Sequence, residues 1–173
     1  MKILLSHTEL NITLQRLAHQ LVEQHDDFED AAIVGIQPRG VQLSDRLVAL
    51  LQQITGNDRI FYGKLDITFH RDDLHSGAAM HRPNENNIPF SVEGRTVILV
   101  DDVLHTGRTI RAAMDALMDY GRPSRIELLT LIDRKFSREI PVQSDYTGRS
   151  IDTIMSQKVI VEWSPEARIL LID

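Results

Sequence analysis

The sequence predicts an α/β domain: a central, mostly parallel sheet flanked by helices. Three observations lead there. Short apolar runs of strand length alternate with longer segments whose apolar residues recur at helical spacing. Strands alternating with helices need crossover connections, and so a parallel sheet covered by helices. Finally, 173 residues suffice for one well-buried domain but hardly for two.

The elements follow in order. Ser6 and Glu9 have the spacing of a capping box. Leu10, Leu14, Leu17, Leu21 and Val22 then mark a first helix to about His25. Ala31 to Ile36 is a buried strand, Gln37 to Gly40 a turn, and Leu43, Leu47, Leu50, Leu51 and Ile54 a second helix. Arg59 to Phe69 is strand-like, with Ile60 and Tyr62 among its β-favouring residues. From His70 to Pro89 the chain is polar, rich in Gly, Asn and Pro, and without period. A loop that long in a compact domain reads as a mobile lid, about 70–90. Val97 to Val100 is the next strand, and Thr109 to Tyr120 a helix closed by Gly121 and Pro123. Ile126 to Ile132, Lys158 to Trp163 and Arg168 to Ile172 complete the strands. No internal repeat or linker interrupts the pattern.

Pro38-Arg39-Gly40, Asp101-Asp102 and Asp133-Arg134 each follow an apolar strand directly. In an open parallel sheet, ligands bind beyond the carboxyl ends of the strands. The three groups are therefore expected at one edge, around one site.

The most informative stretch is Val97 to Thr109, VILVDDVLHTGRT. A buried strand delivers two carboxylates and then a small hydroxyl-and-glycine turn. The carboxylates can accept hydrogen bonds from the two hydroxyls of a sugar diol. The turn offers backbone N–H groups, the Thr106 and Thr109 hydroxyls and a helix N-terminus to a phosphate. No G-x-G-x-x-G follows a strand, and no Lys stands where a Walker A loop needs it.

Composition narrows the field. Hydrophobic residues at 42% and charged residues at 25% are ordinary for a soluble globular protein. The absence of cysteine excludes disulfides, thiol catalysis and zinc-thiolate sites, and fits a cytoplasmic location. The N-terminal apolar run is too short for a signal peptide. No stretch approaches the roughly 18 apolar residues of a membrane span. A net charge of -6 argues against general nucleic-acid affinity but leaves room for a local basic face.

VILVDDVLHTGRT resembles the signature of the type I phosphoribosyltransferases, which bind phosphoribosyl pyrophosphate (PRPP). Five longer stretches narrow the resemblance: GIQPRGVQLSDRLV, DITFHRDDL, VILVDDVLHTGRTIRAAMDAL, GRPSRIEL and LIDRKFSREIPVQSDYTGRSI. Together they are similar to the bifunctional PyrR family, uracil phosphoribosyltransferases of which many also bind mRNA to attenuate pyrimidine operon expression. RDDL, and REIP followed by DYTG, restrict the match more than the PRPP signature does.

The resemblance implies the type I phosphoribosyltransferase fold with a small C-terminal hood, about 134–163. It implies the reaction of uracil with PRPP to give UMP and pyrophosphate, with Mg2+ reached mostly through PRPP and water rather than through a protein cage. Asp101 and Asp102 would hold the ribose hydroxyls and favour positive charge on the ribose. Leu104, His105, Thr106, Gly107, Arg108 and Thr109 would form the 5′-phosphate loop, the His105 side chain itself being dispensable if its backbone does the binding. Pro38, Arg39 and Gly40 match the pyrophosphate loop, with the Pro38–Arg39 bond the candidate for a cis peptide; the alternative for Arg39 is a solvated turn residue. Arg71 would close over pyrophosphate, while Asp72 and Asp73 either cap the lid or bind outer-sphere water. His70, His75 and His81 are too irregularly spaced to make a metal site.

Base recognition falls to the hood near Lys158, Val159 and Ile160, with Asp133 and Arg134 beneath. Related purine enzymes carry a Lys shortly before D-[YF]-x-G; Gln143 and Ser144 stand there instead, which favours uracil. RNA binding would draw on Arg16, His19, Arg134, Arg138 and Arg149, with Lys135 nearby. Gln15 and Gln143 depart from the family's common Thr and Arg. A homodimer or larger assembly is implied. Two other readings remain open: a UMP- or PRPP-sensing RNA-binding regulator with little turnover, and a type I phosphoribosyltransferase for another base.

Overall fold

The computed structural model describes residues 1–73 and 85–173. In chain order the elements are β1 (Lys2–Leu5), α1 (His7–His25), β2 (Ala31–Ile36), α2 (Arg39–Thr55), β3 (Phe61–Leu65), β4 (Thr96–Leu104), α3 (Arg108–Leu117), β5 (Arg125–Lys135), β6 (Tyr146–Asp152), β7 (Lys158–Glu162) and β8 (Arg168–Ile172). A five-stranded sheet has the order β3-β2-β4-β5-β6, and each neighbouring pair is parallel. A second sheet, β1-β8-β7, is antiparallel.

The strands of the main sheet read as unbroken apolar runs because both faces are covered. Ile33, Ile98, Val100, Leu129 and Leu131 pack with Leu10, Leu17 and Leu21 of α1 and Leu43, Leu47 and Leu51 of α2. Val34, Ile36, Val97 and Leu99 point the other way, onto Ile110, Ala113 and Leu117 of α3. Alternation along each strand therefore splits one apolar run between two cores.

Local signals set the helix ends. Ser6 Oγ accepts from the Glu9 N–H, and the Glu9 carboxylate accepts from the Ser6 N–H at 2.8 Å, closing the expected capping box. Those bonds hold the Glu9 carboxyl below the usual carboxylate range. Ser6→Ala is expected to cost about 1 kcal/mol in urea melts.

Several boundaries differ from the sequence reading. β4 continues through Leu104, so Asp101 and Asp102 lie within the strand, and β5 likewise carries Asp133 and Arg134. Ladder pairing of Asp101 with Thr130 and of Leu104 with Asp133 extends both strands past their apolar cores. β3 is shorter than Arg59 to Phe69 and gives way to a 3-10 turn over Thr68–His70. β1 and β6 lie outside the strands that the sequence predicts: β1 has only four residues, and in β6 the β-favouring Tyr146, Thr147 and Ile151 are interrupted by Gly148, Arg149 and Ser150. The hood differs from the expected 134–163 as well. β6 pairs with β5 in the main sheet, and the small sheet joins residues 158–172 to the N-terminal β1. Among the described residues, no helix is long and apolar enough to cross a membrane.

Candidate functional site

The C-terminal edge of the main sheet and strand β7 enclose a cavity of about 690 Å³. Asp101 and Asp102 form part of its wall, with Gln37, Pro38, Arg39 and Gln42 from the start of α2 on one side. Arg71, His105 and Thr109 lie on another, and Arg134 and the β7 residues Lys158, Val159, Ile160 and Val161 complete it. An adjoining cavity of about 480 Å³ is lined by Arg71, Asp72, Asp73, Thr106, Arg108 and Thr109.

The acid pair is nearly enclosed, Asp101 being 7% exposed and Asp102 5%. The Asp102 N–H donates to Asp101 Oδ1 at 2.9 Å. Burial pushes the Asp101 carboxyl well up, and the neighbouring Asp102 charge pushes it further. Burial also raises Asp102, against the opposing pull of the Arg39 guanidinium. Such a pair is poised to accept hydrogen bonds or to sit beside a cation. Among the described residues no three His, Asp or Glu side chains gather to hold a metal ion. Two adjacent carboxylates facing a cavity do fit a Mg2+ that keeps most of its water and takes its other oxygens from a substrate.

The turn expected to meet phosphate leads directly into α3. Gly107, at φ +90°, precedes α3, and the helix opens on Arg108. Leu104 itself is a core side chain, 1% exposed, and can contribute only backbone. Burial and the Arg134 charge push the His105 imidazole below its ordinary value, and its Nε2 is buried without a hydrogen-bond partner among the described residues. The Arg108 guanidinium is paired with Glu139 and Asp72, each at 2.5 Å.

Arg39 is exposed, lines the cavity and acts electrostatically on Asp102. The expected cis peptide lies one bond earlier, at Gln37–Pro38, where the tertiary amide of proline permits it. Gly40 is buried against β4, so it shapes the wall without lining it. Arg71 reaches both cavities and is bidentate to Asp73, at 2.8 and 2.5 Å. His70 is turned away, 3.2 Å from Asp119 beyond α3. His75 and His81, and most of the expected lid, lie outside the described residues.

The hood contributes an unpaired edge. Among the described residues β7 pairs only with β8, so one side of its backbone is left for a ligand in the cavity. Arg134, 5% exposed, lies beneath and donates to Thr153 Oγ1 and the Ile154 carbonyl. Asp133 is not brought to the cavity: its carboxylate pairs with Arg138. Sequence reasoning missed Gln37, Gln42, Ile67 and Val161 as lining residues and Glu139 as a partner of Arg108; none carries a motif of its own.

The five basic side chains expected to meet RNA differ in accessibility: Arg134 is buried in the cavity wall, and the partly exposed Arg138 donates to backbone carbonyls. Arg16 and His19 are exposed on α1, although Arg16 also donates to the Thr147 and Gly148 carbonyls. Arg149 donates to the Leu4 carbonyl and remains partly accessible.

A parallel sheet that ends in a buried acid pair and a glycine turn at a helix N-terminus defines the class: the family described as Phosphoribosyl transferase domain matches residues 1–166. In fold, the chain is similar to a substrate complex of hypoxanthine phosphoribosyltransferase from Trypanosoma cruzi, with a TM-score of 0.74, 15% identity and coverage of 100% of this chain and 95% of that one. A hypoxanthine phosphoribosyltransferase from Staphylococcus aureus gives a TM-score of 0.69 at 19% identity, over 88% of this chain and 78% of the other. Sequence relatives are far nearer. Bifunctional protein PyrR of Elusimicrobium minutum is 46% identical over 161 residues, 93% of this chain and 89% of that protein. Bifunctional protein PyrR of Bacillus subtilis is 43% identical over 162 residues, 92% and 88% of the two chains. The chain belongs to the PyrR family of phosphoribosyltransferases.

Proposed function

We propose that the protein transfers the phosphoribosyl group of PRPP to uracil, giving UMP and pyrophosphate, and that it also regulates pyrimidine genes by binding an mRNA leader. The observation that carries the enzymatic reading is the placement of Asp101 and Asp102 between two arginines and an unpaired strand edge. The bond from the ribose C1 to pyrophosphate breaks, a bond to the uracil N1 forms, and the N1 proton is released. Asp101 and Asp102 accept hydrogen bonds from the two ribose hydroxyls, and their negative field favours positive charge on the sugar. The N–H groups of residues 105–109 hold the 5′-phosphate. Arg39 and Arg71 take up the charge developing on pyrophosphate, and Arg71 must exchange Asp73 for it. The free backbone edge of Lys158, Val159 and Ile160 reads the pyrimidine. Mg2+, carried by PRPP oxygens and water beside the acid pair, would neutralise the leaving pyrophosphate. The protein's part in this reaction is chiefly to position the reactants and stabilise shifting charge.

For RNA, the exposed basic side chains of the expected set are Arg16, His19 and Arg149, with Lys135 exposed nearby. The resemblance supports a cytoplasmic homodimer or larger assembly. The deciding experiment is PRPP-dependent nucleotide formation with Mg2+, run with uracil, hypoxanthine, guanine and orotate. Turnover with uracil alone is expected. Turnover with a purine instead would overturn the base assignment; no turnover with any base, with UMP-dependent RNA binding intact, would leave a regulator without catalysis.

A further inference from the structure

The segment after β5 wraps onto the phosphate turn, and it does so through carbonyl oxygens. Arg138 Nη1 donates to the His105 carbonyl at 2.5 Å and, more weakly, to that of Leu104 at 3.4 Å. The N–H groups of Glu139 and Ile140 both donate to the Thr106 carbonyl, at 2.9 and 3.0 Å. Arg138 is itself fixed from behind, by the Val142 carbonyl at 2.9 Å, the Arg134 carbonyl at 3.1 Å and the Asp133 carboxylate.

A trans peptide points its C=O and its N–H in opposite directions. Capturing the His105 and Thr106 carbonyls therefore turns the Thr106 and Gly107 N–H groups away from residues 137–140. Neither N–H has a partner among the described residues. Both are left for a ligand where Thr106, Arg108 and Thr109 line the cavity. If either peptide flipped, it would present a carbonyl oxygen to an anion. Gly107 is pressed against the same segment, since a Cβ there would stand 3.1 Å from the Ile140 Cβ.

We propose that Arg138, assisted by the Glu139 and Ile140 amides, fixes the peptide orientation of the phosphate turn and is a positioning residue for PRPP. It does not touch the substrate. The inference rests on the reading of this turn as the 5′-phosphate loop.

The test compares wild type with Arg138→Gln and Arg138→Lys, reading ribose 5-phosphate binding by calorimetry, KM for PRPP and for uracil, and the thermal melt. The Gln variant is expected to weaken ribose 5-phosphate binding and raise the PRPP KM by about ten- to a hundredfold, leaving the uracil KM at saturating PRPP unchanged. A merely structural role would lower the melt without that split. The Lys variant keeps a cation beside Asp133 but cannot span the carbonyls, so it should fold and recover part of the affinity; it decides the matter if the Gln variant fails to fold. Wild-type ribose 5-phosphate affinity in a folded variant, with or without a loss of RNA binding, would overturn the proposal. Failure of the wild type itself to bind ribose 5-phosphate would instead overturn the reading of the turn, and the brace with it.

Discussion

Asp101→Asn is expected to make the ligand-free protein more stable at neutral pH while removing most of its turnover. Asp101 is buried, and its carboxyl sits well above the ordinary value of 3.8 because burial and the adjacent Asp102 both oppose its charge. The unfolded chain loses that proton near 3.8, whereas the native protein retains it to higher pH. Between those points the native state binds more protons than the unfolded one, so stability falls as pH rises. This contribution is fully present below about 3.8 and is lost as pH climbs through the raised native value. A neutral amide carries no such penalty, and its oxygen can still accept from the Asp102 N–H. A gain of about 1–3 kcal/mol at neutral pH, shrinking toward pH 4, is the expected size. Turnover should fall about 10²- to 10³-fold, because one of the two acids proposed to meet the ribose hydroxyls is gone. Thermal melts from pH 4 to 9 beside a UMP-formation assay read both effects. Melting curves that track wild type at every pH would remove the argument for a strained acid pair. Added PRPP with Mg2+ should stabilise wild type more than the variant, since the ligand binds only the native state and binds the variant less well.

That trade of stability for chemistry explains why the acid pair was so readable in the sequence. Two carboxylates at the end of VILV serve no packing purpose, so their position in a buried strand signals a ligand. The same logic made α1, α2 and β2 legible, because their apolar periodicity and the Ser6 cap are local properties. What stayed hidden depends on distant partners. Nothing within Lys2–Leu5 indicates that it will pair with Arg168–Ile172, and the interrupted apolar pattern of β6 does not announce its pairing with β5. Arg134 and Arg138 illustrate the limit most sharply. As sequence they are two cations in a basic stretch; in the fold one is buried in the cavity wall and the other is consumed by carbonyls. A guanidinium brings the same five donors to phosphate, carboxylate or peptide oxygen, and only geometry decides among them.

The second large effect is expected at Gly40. The residue lies in the first turn of α2, directly after Arg39, where the helix crosses β4. A Cβ built there would stand 2.2 Å from the Val100 carbonyl oxygen and 3.2 Å from the Asp101 Cα. Those atoms are backbone at the centre of the sheet, with β4 paired to β2 on one side and β5 on the other, so they cannot yield as a flexible side chain would. The start of α2 must lift instead, and Arg39 moves with it. Gly40→Ala should therefore cost about 2–3 kcal/mol in denaturant melts. It should also lower PRPP-dependent turnover of the folded fraction, because the start of α2, proposed to meet pyrophosphate, and the strand carrying the acid pair are driven apart at their point of contact. Arg39→Ala separates the two consequences: it removes the cation without crowding β4, so it should depress turnover and leave the melt near wild type. If Gly40→Ala melts like wild type, helix and strand have room to spare, and the close approach places no constraint on the site.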